Sequence, residues 1–249
     1  DLALCEALGV TSKSPRWVVA FKFPAERATT TLLRVDFQVG KTGKITPRAT
    51  MEPVLLAGTV VQHATLHNFG RIQDAPTESD GVRTDIRIGD TVFIEKAGEI
   101  IPYVAGVVLA KRSKTATRIS APEACPTCGG PVDVDPPEAR TDATMETQRF
   151  CVNPSCPAQM RERLIWFAGR KQMDIDGLGE KTIDQILASG TVPLASFADI
   201  FRLRDHRDAL LTLERMGERK VDNLLAGIEQ AKSRGMAKLL GAMGIRHLG

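Results

Sequence analysis

RIGDTVFIEKAGEIIPYVAGVVLA, residues 87–110, is a series of short β-branched and aromatic runs broken by Gly-Asp, Ala-Gly and Pro. Helical period is almost absent from it. Such runs read as strands, because branched side chains suit a pleated surface and the punctuating residues turn the chain. VLLAGTVV at 54–61 and TTLLRVDFQV at 30–39 have the same character. Several short strands with close-spaced turn signals over 45–110 fit a small β-barrel. The polar DAPTESDGVRTD, 74–85, reads as a surface loop inside it, and 111–122 as an exposed linker. Upstream, RWVVAFKF at 16–23 reads as a further strand. Residues 2–9 read as the end of an amphipathic helix closed by Gly9.

The totals exclude some classes. With 249 residues, 43% hydrophobic and 25% charged, the chain is ordinary globular material long enough for more than one unit. No apolar run approaches the ~18 residues of a membrane span. Asp1-Leu2-Ala3-Leu4-Cys5 has neither the basic nor the apolar region of a secretory signal. A cytoplasmic protein without a membrane partner is expected. The start at Asp1 rather than Met, and a helical repeat that stops at Gly249, suggest a piece of a longer chain.

Net charge, +3, says little, but its distribution says more. Residues 1–48 carry eight basic and four acidic side chains, and 157–249 carry fifteen and twelve. The stretch 122–156 reverses this, with two basic against six acidic. That acidic insert holds four of the five cysteines: Cys125-x2-Cys128, then Cys151-x4-Cys156. Without a signal peptide, such a cluster reads as metal ligands before disulfides. Two knuckles aim four thiolates at one point, and Pro126 with Gly129-Gly130 helps the first one turn. Four cysteines fill the sphere of Zn2+ and leave no position for water, so the site is structural. The segment is poor in apolar residues, so the metal supplies much of its folding energy. The bland alternative is four reduced, unconnected thiols. Cys5, on an apolar helical face, reads as a packed core thiol. His63 and His67 are spaced i, i+4, but on a strand-like stretch this does not bring them together. They read as structural or surface histidines.

From about 157 the pattern becomes helical, with Met160, Leu164, Ile165, Phe167 and Ala168 at helical spacing. Two similar units follow, MDIDGLGEKTIDQIL (173–187) and LERMGERKVDNLLAGI (213–228), and a third begins at LLGAMGIRHLG (239–249). In the first, a tight turn with Gly177 and Gly179 leads into a helix N-terminus, where free N–H groups and the dipole attract an anion. Lys181 adds a cation. The second has Gly217 at the later glycine position, Arg215 at the earlier one, and Arg219 and Lys220 as cations. The third has His247 and Gly249 at those positions, with Arg246 nearby. These read as helix–hairpin–helix units holding a DNA backbone without reading bases. Ordinary solvated helix charges are the alternative.

Lys22 sits in the otherwise apolar run Val18–Phe23. It is either a sheet-edge lysine snorkelling to water or a phosphate contact in a cleft. Lys41 and Lys44, in a Gly-rich turn, are either turn charges or phosphate ligands.

The order of parts is informative. RWVVAFKFPAE, VGKTGKITPRATMEPV, AGTVVQHATLHN, RIGDTVFIEKAGEIIPYV, CPTCGG, NPSCPAQ and MDIDGLGEKTIDQIL occur in this order across nearly the whole chain. Together they resemble bacterial NAD-dependent DNA ligases. The resemblance implies a multidomain α+β fold: the end of a nucleotidyltransferase domain (1–47), an OB-fold β-barrel (48–121), a four-cysteine zinc finger (122–156) and a truncated helix–hairpin–helix α domain (157–249). It implies AMP transfer from NAD+ to an enzyme lysine, then to the 5′-phosphate of a nick in duplex DNA, followed by attack of the 3′-hydroxyl with Mg2+ assisting. The enzyme would be monomeric. It maps Lys22 onto a lysine that contacts the adenylate phosphate, which explains a cation in an apolar strand. The family's nucleophile lies in a Lys-x-Asp-Gly motif, absent from this sequence, so binding without sealing is expected of it. The stretches 74–85 and 128–151 look longer than usual for the family. Two rivals are a non-catalytic repair or recombination scaffold and an RNA-binding OB protein with a zinc ribbon. The lysine strand disfavours the first and the helical repeats the second.

Overall fold

In the computed structural model, residues 1–11, 14–19, 25–97, 101–135 and 148–244 are described. Two long strands carry the barrel. β1 (Arg27–Val39) and β2 (Lys44–Leu56) flank the turn at 40–43. Along β2, Ile45, Pro47, Ala49 and Met51 are buried while their neighbours are not, the period of two that gives a strand an inner face. β3 (Thr59–Thr65) follows a turn at Ala57-Gly58, both with positive φ, which suits the strand twist. The short helix α2 (Phe69–Gln73) is capped by the Asn68 side chain, which accepts from Arg71 N. Two short strands, β4 (Ala75–Pro76) and β5 (Arg83–Thr84), pair within the polar loop. β6 (Arg87–Ile88), β7 (Thr91–Ala97) and β8 (Ile101–Val107) complete the unit, with β9 (Thr117–Arg118) pairing back on β6.

Closure comes from the pairing order. β1 pairs antiparallel with both β2 and β7, β7 with β8, and β2 with β3, while β8 runs parallel to β3 at Thr65–Tyr103. The ring β1-β7-β8-β3-β2 has no open edge strand among the described residues and encloses Leu32, Ile45, Met51, Leu56, Leu66 and Ile94.

Several expectations are corrected here. The barrel begins at Arg27, not near residue 48, because residues 27–31 pair with β7 and 32–39 with β2. Without β1 the ring cannot close. The segment 111–122 is exposed over most of its length, as expected of a linker, but it is anchored. Arg112 donates to both carboxylate oxygens of Asp90 (2.8 Å each) and to Asp85 Oδ1 (3.0 Å). Asp90 is fully buried, and these bonds raise the Arg112 pKa above its ordinary value. Helix α1 (Leu2–Leu8) is present, but it buries none of its residues. Cys5 is therefore half-buried rather than packed in a core. Of the expected strand 16–23, residues 16–19 form no strand and 20–23 lie outside the described residues.

β10 (Val132–Asp135) and β11 (Gln148–Cys151) form a hairpin that docks on β2 through Arg149–Ile45 and Phe150–Lys44. After it come α3 (Pro157–Ala168), α4 (Glu180–Ser189), α5 (Phe197–Arg202), α6 (Arg207–Leu211), α7 (Glu218–Ala231) and α8 (Met236–Ala242). They surround a second core containing Leu164, Phe167, Ile183, Ile186, Val221 and Leu224. Among the described residues, no helix is long and apolar enough to cross a membrane.

The Arg112 latch gives a first prediction. Arg112→Met leaves the Asp90 carboxylate buried without its countercharge and should lower stability by about 3 kcal/mol. Urea denaturation would check this, and a change under about 1 kcal/mol would show that water or rearrangement compensates.

Candidate metal centre and the glycine turns beside it

The knuckle 125–130 turns because Gly129 adopts φ 67°, with Cys125 N bonding Gly130 O (2.9 Å) and Gly129 N bonding Cys125 O (2.9 Å). Gly130 is tightly hemmed in: a Cβ there would stand 3.2 Å from Cys128 Sγ and 3.1 Å from Asn153. Cys151 ends β11, and Cys156 is the N-cap of α3. All four ligand atoms lie within 4.8 Å of one another. Cys125 and Cys156 sulfurs are 3.9 Å apart, and those of Cys128 and Cys151 3.6 Å. A tetrahedral Zn2+ with bonds of about 2.3 Å separates its sulfurs by about 3.8 Å, so the spacing fits such an ion.

The four thiols are not equivalent. Cys125, Cys151 and Cys156 are buried, whereas Cys128 is half-buried. Two N–H groups face the Cys128 sulfur, the Asn153 amide (3.4 Å) and Gly130 N (3.4 Å). They favour the thiolate, the Asn153 amide most, and hold the Cys128 pKa at about 6. Burial pushes Cys151 up to about 12 and raises Cys156 as well. A metal ion would offset that burial penalty by replacing the protons.

The centre is fixed to its neighbours by backbone contacts. Cys151 N donates to Gly43 O (2.8 Å), and a Cβ on Gly43 would stand 2.3 Å from Cys151 O. Buried Gln159 on α3 donates to Cys151 O (2.8 Å) and Asn153 O (3.1 Å). Arg163 donates to Lys41 O (3.0 Å) and Gln159 Oε1 (3.1 Å). The Lys41 ammonium lies over the Trp166 ring, where burial lowers its pKa. Trp166 Nε1 in turn donates to Gly241 O on α8 (3.3 Å). Asn153, Gln159, Arg163 and Trp166 were not legible as site residues. The one signal was Gln159, a polar residue among the helix's core positions three after Cys156.

The glycine turns repeat one backbone. Gly177 adopts φ 79°, and two residues later Gly179 is the N-cap of α4. Arg215 adopts φ 56°, and two residues later Gly217 is the N-cap of α7. Neither N-terminus has a side-chain cap. Lys181, Arg219 and Lys220 in the following first turns are exposed. The two units pack together, since a Cβ on Gly227 of α7 would meet Asp176 O at 3.0 Å. In the third unit Gly244 has φ 65°, while Arg246, His247 and Gly249 lie outside the described residues, as does Lys22. His63 and His67 are both exposed and stand apart from the metal group: His63 meets Thr50 Oγ1 (3.3 Å), and the His67 ring packs 5.2 Å from Tyr103.

Two outcomes are expected. Zn2+ uptake should release roughly 0.7 proton more per ion at pH 5.5 than at pH 7.5, because Cys128, with a pKa of about 6, is already largely ionised at the higher pH. Calorimetry in buffers of differing ionisation enthalpy measures this, and equal release at both values would contradict the assignment. Arg215→Gly should raise stability by up to about 1 kcal/mol, since only glycine adopts that conformation freely. An unchanged or lower urea midpoint would show that Arg215 is held by contacts that outweigh the strain.

Comparison with known proteins adds to this geometry. Residues 29–116 match the NAD-dependent DNA ligase OB-fold domain. The chain is 45% identical to a DNA ligase of Symbiobacterium thermophilum, over 100% of this chain and 34% of that protein. It is also 45% identical to the DNA ligases of Halalkalibacterium halodurans, over 98% of this chain and 33% of that protein, and of Shouchella clausii, over 100% and 34%. It thus spans about a third of the length of the curated relatives it matches. A closed barrel at the matched residues, a four-thiol cluster docked on it and this identity agree: residues 29–116 form an OB-fold domain of the NAD-dependent DNA ligase type, and the chain is similar along its length to bacterial DNA ligases.

Proposed function

We propose that this chain is the DNA-gripping part of a ligase that seals nicks in duplex DNA, and that it binds DNA without sealing it alone. The observation carrying the reading is the repeated turn, a positive-φ residue two before an uncapped glycine N-cap, followed by exposed cations. An uncapped helix start offers N–H groups and a positive dipole end to a phosphate, and glycine lets the phosphate come close. Lys181, Arg219 and Lys220 add charge there, and Gly177, Gly179 and Gly217 shape the turns. Arg246 and Gly249 would serve a third unit in the same way. On this reading residues 157–249 are a helix–hairpin–helix domain.

The four cysteines would hold a structural Zn2+ that fixes the finger between barrel and helices. The barrel then sets its cations against the same duplex. Residues before Arg27 would finish a nucleotidyltransferase domain, with Lys22 balancing charge at the adenylate phosphate. NAD+ supplies the AMP and Mg2+ assists in the intact enzyme, a cytoplasmic monomer on this reading. A non-catalytic scaffold remains the alternative, and the whole-chain likeness to DNA ligases favours the enzyme.

Binding of a labelled nicked duplex should weaken steeply with salt, and K181A/R219A/K220A should lower the slope of log K against log salt by about 2 to 3. Incubation with NAD+ and Mg2+ should leave the intact mass unchanged. Salt-independent binding, or a gain of one AMP, would refute the reading.

A further inference from the structure

Four cations, two from the turn after α3 and two from the turn before α8 and its first residues, some sixty residues on, meet just past the C-terminal end of α3. Arg234 Nη2 donates to Arg170 O (3.5 Å) and to Asp174 Oδ2 (2.7 Å). Lys238 Nζ donates to Lys171 O (2.9 Å). Arg170, Lys171 and Lys238 are exposed. Four positive charges against Asp174 leave a local +3, as much as the formal charge of the whole chain.

The contacts that gather these cations use backbone carbonyls more than carboxylates. Among the described residues, the ion pair in the group is that of Arg234 with Asp174. Elsewhere on the helices the pattern differs, with Arg202 on Asp199, Arg204 on Glu229 and Arg207 on Asp222. Bringing like charges together costs folding free energy, so the fold itself gives no reason for the cluster. An anionic partner does. Met236 is the one large apolar side chain exposed between Arg234 and Lys238, with Leu240 and Met243 exposed further along the chain, so cations rather than an apolar centre make up the cluster itself. Exposed cations gathered in this way suit a sugar-phosphate backbone.

The cluster is also placed along the seam already described. Lys238 and Gly241 are three apart on α8 and share a face, and Gly241 O accepts from Trp166, under which the barrel's Lys41 is stacked. The cations therefore continue from the barrel turn along the joint between α3 and α8.

We propose that Arg170, Lys171, Arg234 and Lys238 form a phosphate-gripping surface, separate from the glycine turns, that takes the backbone of duplex DNA beside the nick. This rests on the DNA-gripping reading above and adds a contact region to it. Arg234 ties the two segments together through Asp174, while Arg170, Lys171 and Lys238 provide the exposed charge.

The test uses the zinc-loaded 249-residue chain and a fluorescein-labelled nicked duplex, with anisotropy measured across a salt series. In R170Q/K171Q/K238Q, with melting temperature unchanged, the slope of log K against log salt should fall by about 2 or more, at about 0.9 per lost phosphate contact. R202Q/R204Q/R207Q removes the same formal charge from ion-paired positions and should change the slope by less than about 1. An unchanged slope in the first variant overturns the proposal while leaving the glycine-turn reading intact, and would turn attention to an acidic protein partner. Equal loss in both variants overturns it too, by showing an effect of net charge alone. If the unaltered chain has no salt-dependent affinity for the duplex, the DNA-gripping reading falls and this proposal with it.

Discussion

The peptide of Cys151 belongs to three structures at once. Its N–H closes on Gly43 of the barrel turn, its carbonyl accepts from Gln159 of α3, and its sulfur faces Cys128 in the four-cysteine cluster. Barrel, finger and helices therefore share one residue whose side chain is aimed by strand pairing and whose backbone is used on both sides. The absence of a side chain at Gly43 makes the contact feasible, because a Cβ there would overlap the Cys151 carbonyl. The charges at this joint follow from the same packing. Arg163 uses its guanidinium on backbone and amide oxygens, and Lys41 rests on an aromatic face, so the turn is held without carboxylates. A joint built this way keeps its cations available to an outside anion.

Much of the architecture was legible in local patterns. Alternation along β2 and the β-branched runs of β7 and β8 announce strands because one face of each meets the core. The cysteine spacing announces the cluster because two knuckles need little else to converge. The repeated glycines mark helix starts, and the structure adds that Arg215 takes the conformation glycine takes in the first unit. That Arg215 tolerates positive φ is a backbone fact no residue identity announces.

What was not legible lay in long-range partners. The barrel's first strand was assigned to the preceding domain because β1 looks the same whether it pairs within one unit or another. The run after Leu109 read as a linker because its polar composition hides Arg112, whose partners lie 22 and 27 residues earlier. Cys5 read as core because an apolar helix face implies a partner, and among the described residues none buries α1. Gln159 and Trp166 gain their roles through contacts with the finger and with α8, which sequence spacing does not encode.

The docking of β11 on β2 carries a consequence for the protein in solution. Lys44 and Ile45 have their ladder partners in the finger, at Phe150 and Arg149. That short stretch of β2 lies beyond the reach of β3, whose pairing begins at Arg48. Chelation that loosens the finger thus bares a piece of strand edge beside an apolar core, and such edges recruit other chains. A metal held by the four cysteines would then act as a guard against self-association as well as a local staple, and its removal would show as turbidity before the barrel itself had melted.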